Sequence, residues 1–142
     1  MDFSTLNWAA IAVVSVLGIL IGSVWFGPKT FYPIWWKLMN DKPMPGREAG
    51  GGGAMFVATI IALIAQVIGL AIALQVVAKA YGAPLGVLDG AHVGLFLGVM
   101  VGAASSLGHR MFARHGLKVW LIEVTPDVIF AILAGIILAT WR

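Results

Sequence analysis

The chain has 142 residues, 61% of them hydrophobic and only 11% charged, whereas a soluble domain runs nearer to roughly 45–50% and 25%. So few charges cannot cover a water-facing surface, which excludes an ordinary soluble globular domain and leaves lipid as the solvent for much of the chain. Cysteine is absent, which excludes a disulfide framework and thiol chemistry; in a chain of this kind the net charge of +3 bears on topology and anionic-lipid contact, not on nucleic-acid binding.

The first predicted element is an uncharged apolar span from Leu6 to Phe26. The residues before it offer Asp2 but no Lys or Arg, and it ends in "SVWFGPK" with no small-residue cleavage site, so it reads as a permanent helix and not as a signal peptide. Gly18 and Gly22 form a small-residue pair within it. "KTFYPIWWKLMN" follows, with Phe31, Tyr32, Trp35 and Trp36 interleaved with Lys29 and Lys37. That mixture suits a short interfacial helix lying along the inner leaflet. Aromatic and basic residues together also bind single-stranded nucleic acid, but this segment is pinned beside lipid. In "NDKPMPGREAGGGGAMF" two prolines and Gly50 to Gly53 make a flexible connection. A phosphate-binding loop needs Lys and then Ser or Thr after the last glycine, where this chain has Ala54 and Met55.

The second span covers 54–78, with Gln66 midway. The third covers 90–108, and in "GAHVGLFLGVMVG" Gly90, Gly94, Gly98 and Gly102 recur every fourth residue. Such a stripe lets helix backbones approach closely in lipid, where van der Waals packing replaces the hydrophobic drive. "HRMFARHGLK" then carries Arg110, Arg114 and Lys118; with Lys29 and Lys37 it reads as an anchor to anionic headgroups. His109 and His115 are six apart, which is not a one-face metal pair, so no metal or cofactor is expected. The fourth span covers 119–141 and repeats the small-residue pattern at Ala131, Gly135 and Ala139. The stripes predict close packing within one monomer, with a homodimer contact as the alternative.

Each span is near the roughly 20 residues needed to cross about 30 Å of hydrocarbon, and nothing alternates with period two over strand length. The expected fold is therefore all-α: one integral membrane domain over 1–142, with four transmembrane helices and a short interfacial helix in the first loop. Lys29, Lys37, Lys42 and Arg47 lie in the first loop and Arg110, Arg114 and Lys118 in the third, against Lys79 and Arg142 on the other side. The positive-inside rule then places both loops in the cytoplasm and both termini in the periplasm of a bacterial inner membrane. The tryptophans mark the boundaries as an aromatic belt: Trp8 and Trp141 at the outer edge, and Trp25, Trp35, Trp36 and Trp120 near the inner one.

Glu123 and Asp127 break the apolar run of the fourth span. Counted from Lys118, they lie roughly 8 Å and 14 Å into the bilayer, on one helix face. Two charges there cost several kcal/mol unless paired, wetted or protonated. Pro126, between them, removes a backbone donor and frees the carbonyl of Ile122. Gln66 is level with Asp127, while Ser105, Ser106 and His109 reach the depth of Glu123, and Arg110 and Arg114 can snorkel towards it. The group of Glu123, Asp127, Gln66 and His109 reads either as a proton- or cation-binding site inside the bundle or as a structural polar network.

"NWAAIAV", "GSVWFGPKTF", "WWKLM", "LGHRMFARHGLKVWLIEV" and "GIILATWR" resemble, in that order and over nearly the whole chain, the domain of unknown function 1761 family of small bacterial membrane proteins. The matching positions are Asn7, Trp8, Trp25, Gly27, Pro28, Trp36, Lys37, Met39, Gly108, Phe112, Leu117, Lys118 and Trp141. In that family the stretch after Lys118 is often Asn- and His-bearing, so Glu123 and Asp127 depart from it. The resemblance implies the four-helix architecture and no particular activity. Neither a Ser-His-Asp arrangement nor HExxH or GxSxG is present, so no enzyme is expected. The leading expectation is a structural or accessory component packing with a larger membrane complex; the alternative is a dimeric proton- or cation-coupled transporter using the carboxylates.

Overall fold

A computed structural model of the chain describes residues 3–39 and 52–141. After a short 3-10 turn at Phe3–Thr5 come α1 (Trp8–Trp25), α2 (Tyr32–Met39), α3 (Gly52–Tyr81), α4 (Val87–Phe112) and α5 (Gly116–Thr140). No strand occurs among the described residues. α1, α3, α4 and α5 are each long and apolar enough to cross a bilayer, and α2 is the short helix of the first loop. The protein is an all-helical, multi-pass membrane protein. The starts of α1 and α4 and the ends of α3 and α5 lie at one end of the bundle, termed the terminal end; the other is the loop end.

The helix boundaries follow from local chemistry. α1 starts at Trp8 because the Asn7 carboxamide oxygen accepts the Ala10 N–H at 2.9 Å, filling one of the orphan donors of the first turn. The same amide donates to the Trp141 carbonyl at 3.2 Å, tying the start of α1 to the end of α5. At the far end of α1, the Thr30 hydroxyl lies 2.6 Å from the Val24 carbonyl and 2.7 Å from that of Trp25. The "GPKT" turn thereby folds back to satisfy carbonyls that lipid cannot. α3 begins inside the glycine run, at Gly52, so Gly52 and Gly53 belong to a helix and not to the flexible connection; residues 40–51 of that connection lie outside the described residues. α4 reaches Phe112 and closes with the His115 N–H on the Arg110 carbonyl (3.1 Å) and the Arg114 N–H on that of Met111 (3.0 Å). Arg114 takes the left-handed position at φ 59°, the geometry of a Schellman cap.

α4 and α5 are packed backbone to backbone. A Cβ at Gly94 would land on the Ala131 carbonyl, and one at Gly90 on the Gly135 carbonyl. One at Gly98 would lie 3.1 Å from the Ala131 methyl. Gly18 holds α1 against its neighbours, since a Cβ there would meet Leu63 at 2.7 Å and Phe130 at 3.0 Å. Two of the expected packing glycines have no such role. Nothing lies within 4 Å of a Cβ at Gly22, and a Cβ at Gly102 would meet only the carbonyl of Leu97 in its own helix, 3.8 Å away. For Gly102 the reason is a π-helical stretch over Leu97–Ala103. Its wider turn shifts the helix phase by one residue, so the inward position after Gly98 is Ala103, which is buried, while Gly102 is exposed.

The core gathers towards the terminal end, where Leu6, Ile11, Val14, Val67, Leu70, Leu74 and Leu85 pack with Phe130 and Ala134. α3 joins it only through its second half. From Gly53 to Gln66 every residue of α3 except Leu63 is exposed, and Met55, Phe56 and Ile61 are more than 60% exposed. The bundle is therefore closed at the terminal end and leaves the loop-end half of α3 uncovered.

Candidate functional site

Pro126 lies inside α5 and cannot donate to the carbonyl four residues earlier, that of Ile122. The Trp25 indole N–H donates to that carbonyl at 2.9 Å. Trp25 is held for the task by stacking on Phe31, with ring centroids 4.3 Å apart. A second indole, that of Trp35 on α2, donates to Glu123 Oε1 at 2.8 Å. The other Glu123 oxygen is 2.6 Å from Arg110 Nε, with the two side chains 19% and 34% exposed. Arg110 Nη1 lies 3.3 Å from His115 Nδ1. A third indole, Trp120, donates towards the Ala103 carbonyl (3.2 Å) and the Ser106 hydroxyl (3.1 Å), where the π stretch ends. Trp25, Trp35 and Trp120 thus serve as polar clasps between helices.

The candidate polar group divides in two. Glu123 belongs to the ion pair and indole clasp that fastens α2 and α4 to α5. Asp127, one turn deeper, does not join it. It lines a cavity of about 70 Å³ with Gly18, Gly22, Gln66, Pro126 and Phe130, and it is exposed on the chain's surface. Neither Asp127 nor Gln66 has a side-chain hydrogen bond or ion pair among the described residues. Glu123 is partly buried and paired, while Asp127 is exposed in a small cleft between α1, α3 and α5. His109 is exposed and stands apart from both. Ser105 and Ser106 spend their hydroxyls on the Gly102 and Ala103 carbonyls of their own helix. No three His, Asp or Glu side chains converge among the described residues.

The basic residues also separate. Arg110 is engaged by Glu123 and is partly buried. Lys29, Lys37, Arg114 and Lys118 are exposed at the loop end.

Residues 9–139 match the family described as protein of unknown function (DUF1761). The chain belongs to this family. No curated protein and no solved structure matches it. Several positions that carry the DUF1761 resemblance have a visible role in the fold. Asn7 caps α1 and holds Trp141, Trp25 fills the gap left by Pro126, and Gly27 and Pro28 form the turn that returns Thr30 to the end of α1.

Sequence reasoning named the Ile122 carbonyl as an orphan and Arg110 as a reachable partner of Glu123. It missed the three indole donors. The usable signal was the cluster of tryptophans at the depth of Pro126 and Glu123, since a buried indole N–H seeks an acceptor; what sequence could not specify was the pairing.

Proposed function

We propose that this protein is a small structural or accessory subunit of the bacterial inner membrane. In this reading it packs against a larger membrane complex through the face that carries Asp127 and the loop-end half of α3. The observation that supports the reading is Asp127 itself. It lies about 16 Å along a helix about 37 Å long, has no partner among the described residues of its own chain, and is exposed in a small cleft between α1, α3 and α5. Hydrocarbon offers a carboxylate nothing, and an aspartate there costs about 3 kcal/mol on insertion scales. A neighbouring chain that supplies a donor removes that cost and covers the exposed half of α3 at the same time. Exposed cations at the loop end favour cytoplasmic loops, periplasmic termini and contact with anionic headgroups. In this reading the role is structural and not catalytic.

A second reading has one observation in its favour: Asp127 and Gln66 share a single cavity of water-like dimensions. That pairing suits a proton- or cation-coupled carrier, closed by a second copy. Extraction in a mild detergent followed by native mass spectrometry separates the two. Co-purifying larger subunits support the accessory role. A lone dimer whose proton flux is lost in Asp127→Asn supports the carrier. A monomer without partners and without flux refutes both.

A further inference from the structure

A second cavity lies away from both carboxylates, at the terminal end. It measures about 570 Å³ and opens where the start of α1, the last turns of α3 and the end of α5 meet. Its floor is apolar and well packed: Leu6, Ala71, Leu74, Leu85 and Ala139 are all buried and belong to the main core or contact it. Its rim is polar. The Gln75 amide donates to the Thr5 hydroxyl at 3.0 Å, Asn7 is fixed by its bonds to Ala10 and Trp141, and Lys79 and Trp141 complete the mouth.

Three features narrow the occupant. The volume falls within the roughly 300–1,000 Å³ of sites that enclose a small molecule, so a lone inorganic ion does not fill it. Among the described residues the lining contains one cation, Lys79, and no carboxylate, so the charge preference is for an anion. Lys79 stands on the last turn of α3 and Trp141 just past the end of α5, which is the level of the headgroups, while the floor descends towards the acyl region. An apolar chamber below and a single ammonium above match a molecule with an acyl chain and one anionic head. Two-chain lipids cover much more apolar area than this floor offers.

We infer that the terminal-end cavity is a binding site for a single-chain anionic amphiphile, with its chain against Leu6, Leu74 and Leu85 and its head at Lys79. The head is a carboxylate or a phosphate, as in a fatty acid or a lysophospholipid; both present the same chemistry to an ammonium.

The test uses the full chain in nanodiscs of neutral lipid and a palmitate analogue carrying a photoreactive diazirine. Labelling should saturate and map by mass spectrometry to residues 71–79 and 138–141. Unlabelled palmitate and lysophosphatidic acid each compete in separate arms, and the better competitor identifies the head. Lysophosphatidylcholine, with its zwitterionic head, should compete less well than the better of the two. Lys79→Gln, at an exposed position that leaves the fold intact, should weaken the anionic ligand about fivefold, the value of one lysine at a membrane surface, and leave the zwitterionic one unchanged. Ala71→Trp fills the chamber and should abolish labelling; Ala78→Leu, nearer the rim, repeats the test should the tryptophan disturb folding as judged by circular dichroism. Labelling that never saturates, that maps elsewhere, or that is indifferent to Lys79→Gln overturns the inference.

Discussion

The bond between Trp25 and the Ile122 carbonyl permits a quantitative test, because its necessity is traced to one residue. Trp25→Phe keeps an aromatic ring to stack on Phe31 and removes the indole donor. The Ile122 carbonyl is then left without a partner, since Pro126 has no N–H. An unsatisfied buried carbonyl costs about 1–3 kcal/mol, while interhelical hydrogen bonds in bilayers average about 0.6 kcal/mol and reach about 1.7. With Ile122 half-buried, a loss of about 1 kcal/mol is expected, about fivefold in the folding equilibrium. Pro126→Ala restores a backbone donor to the same carbonyl, so Trp25→Phe should cost about 1 kcal/mol less in that background. The smaller phenyl ring and the small void at position 126 affect stability too, but each enters both arms of the double-mutant cycle and cancels. Unfolding in mixed micelles with increasing dodecyl sulfate, followed by far-UV circular dichroism, measures all four proteins. An identical cost of Trp25→Phe in both backgrounds refutes the claim that the indole replaces the missing proline donor.

Gly94→Ala should destabilise the protein by about 1–3 kcal/mol through overpacking against the Ala131 carbonyl, whereas Gly102→Ala should be neutral or slightly stabilising; equal effects in a thermal melt would mean that the π stretch does not rotate Gly102 outward. Glu123→Gln keeps an acceptor for Trp35 but breaks the ion pair with Arg110, and should cost about 1–2 kcal/mol; Glu123→Leu should cost more and loosen α2, read as faster amide hydrogen exchange over 32–39. Asp127→Leu should raise the stability of the isolated protein, since it removes an unpaired polar group from hydrocarbon, and should abolish co-purification of any partner; a loss of intrinsic stability would show that Asp127 has an internal role. Cysteines placed at Lys42 and Gly116 should both be shielded from an impermeant thiol reagent in intact cells, and labelling of both would reverse the topology.

Much of the architecture is legible because lipid imposes one rule throughout: every backbone polar group must be satisfied within the segment. Long uncharged runs such as 6–26 and 54–78 then have a single outcome. Helix ends are less legible, because they depend on particular side chains. Asn7 as an N-cap is a recognisable signal, but Thr30 reaching back over the "GPKT" turn is not. The glycine stripe is a sharper case. Regular four-residue spacing is a true guide only while the helix stays α-helical, and the π stretch at Leu97–Ala103 replaces Gly102 with Ala103 at the interface. No residue in "LGVMVGA" announces that change. The open half of α3 is equally silent in sequence, since residues 53–66 have the same composition whether they meet lipid, a partner or their own bundle.

The two carboxylates show how depth alone assigns different roles to similar groups. Glu123 and Asp127 are one turn apart, about 6 Å along the axis. Both groups that partner Glu123 come from the loop end: Arg110 from the last turns of α4, and Trp35 from α2. Their reach ends there. One turn deeper the neighbours include Gly22, Leu63 and Phe130, and among the described residues lining that cleft the Gln66 amide is the one other polar side chain. Pro126 adds to the separation, because the donor that repairs its missing bond, Trp25, is spent on the Ile122 carbonyl and is not available to Asp127. Glu123 therefore contributes to holding this chain together, whatever the chain does. Asp127 brings an insertion cost and has no hydrogen-bond or ion-pair partner among the described residues, in a cleft that α1 and α3 line with it.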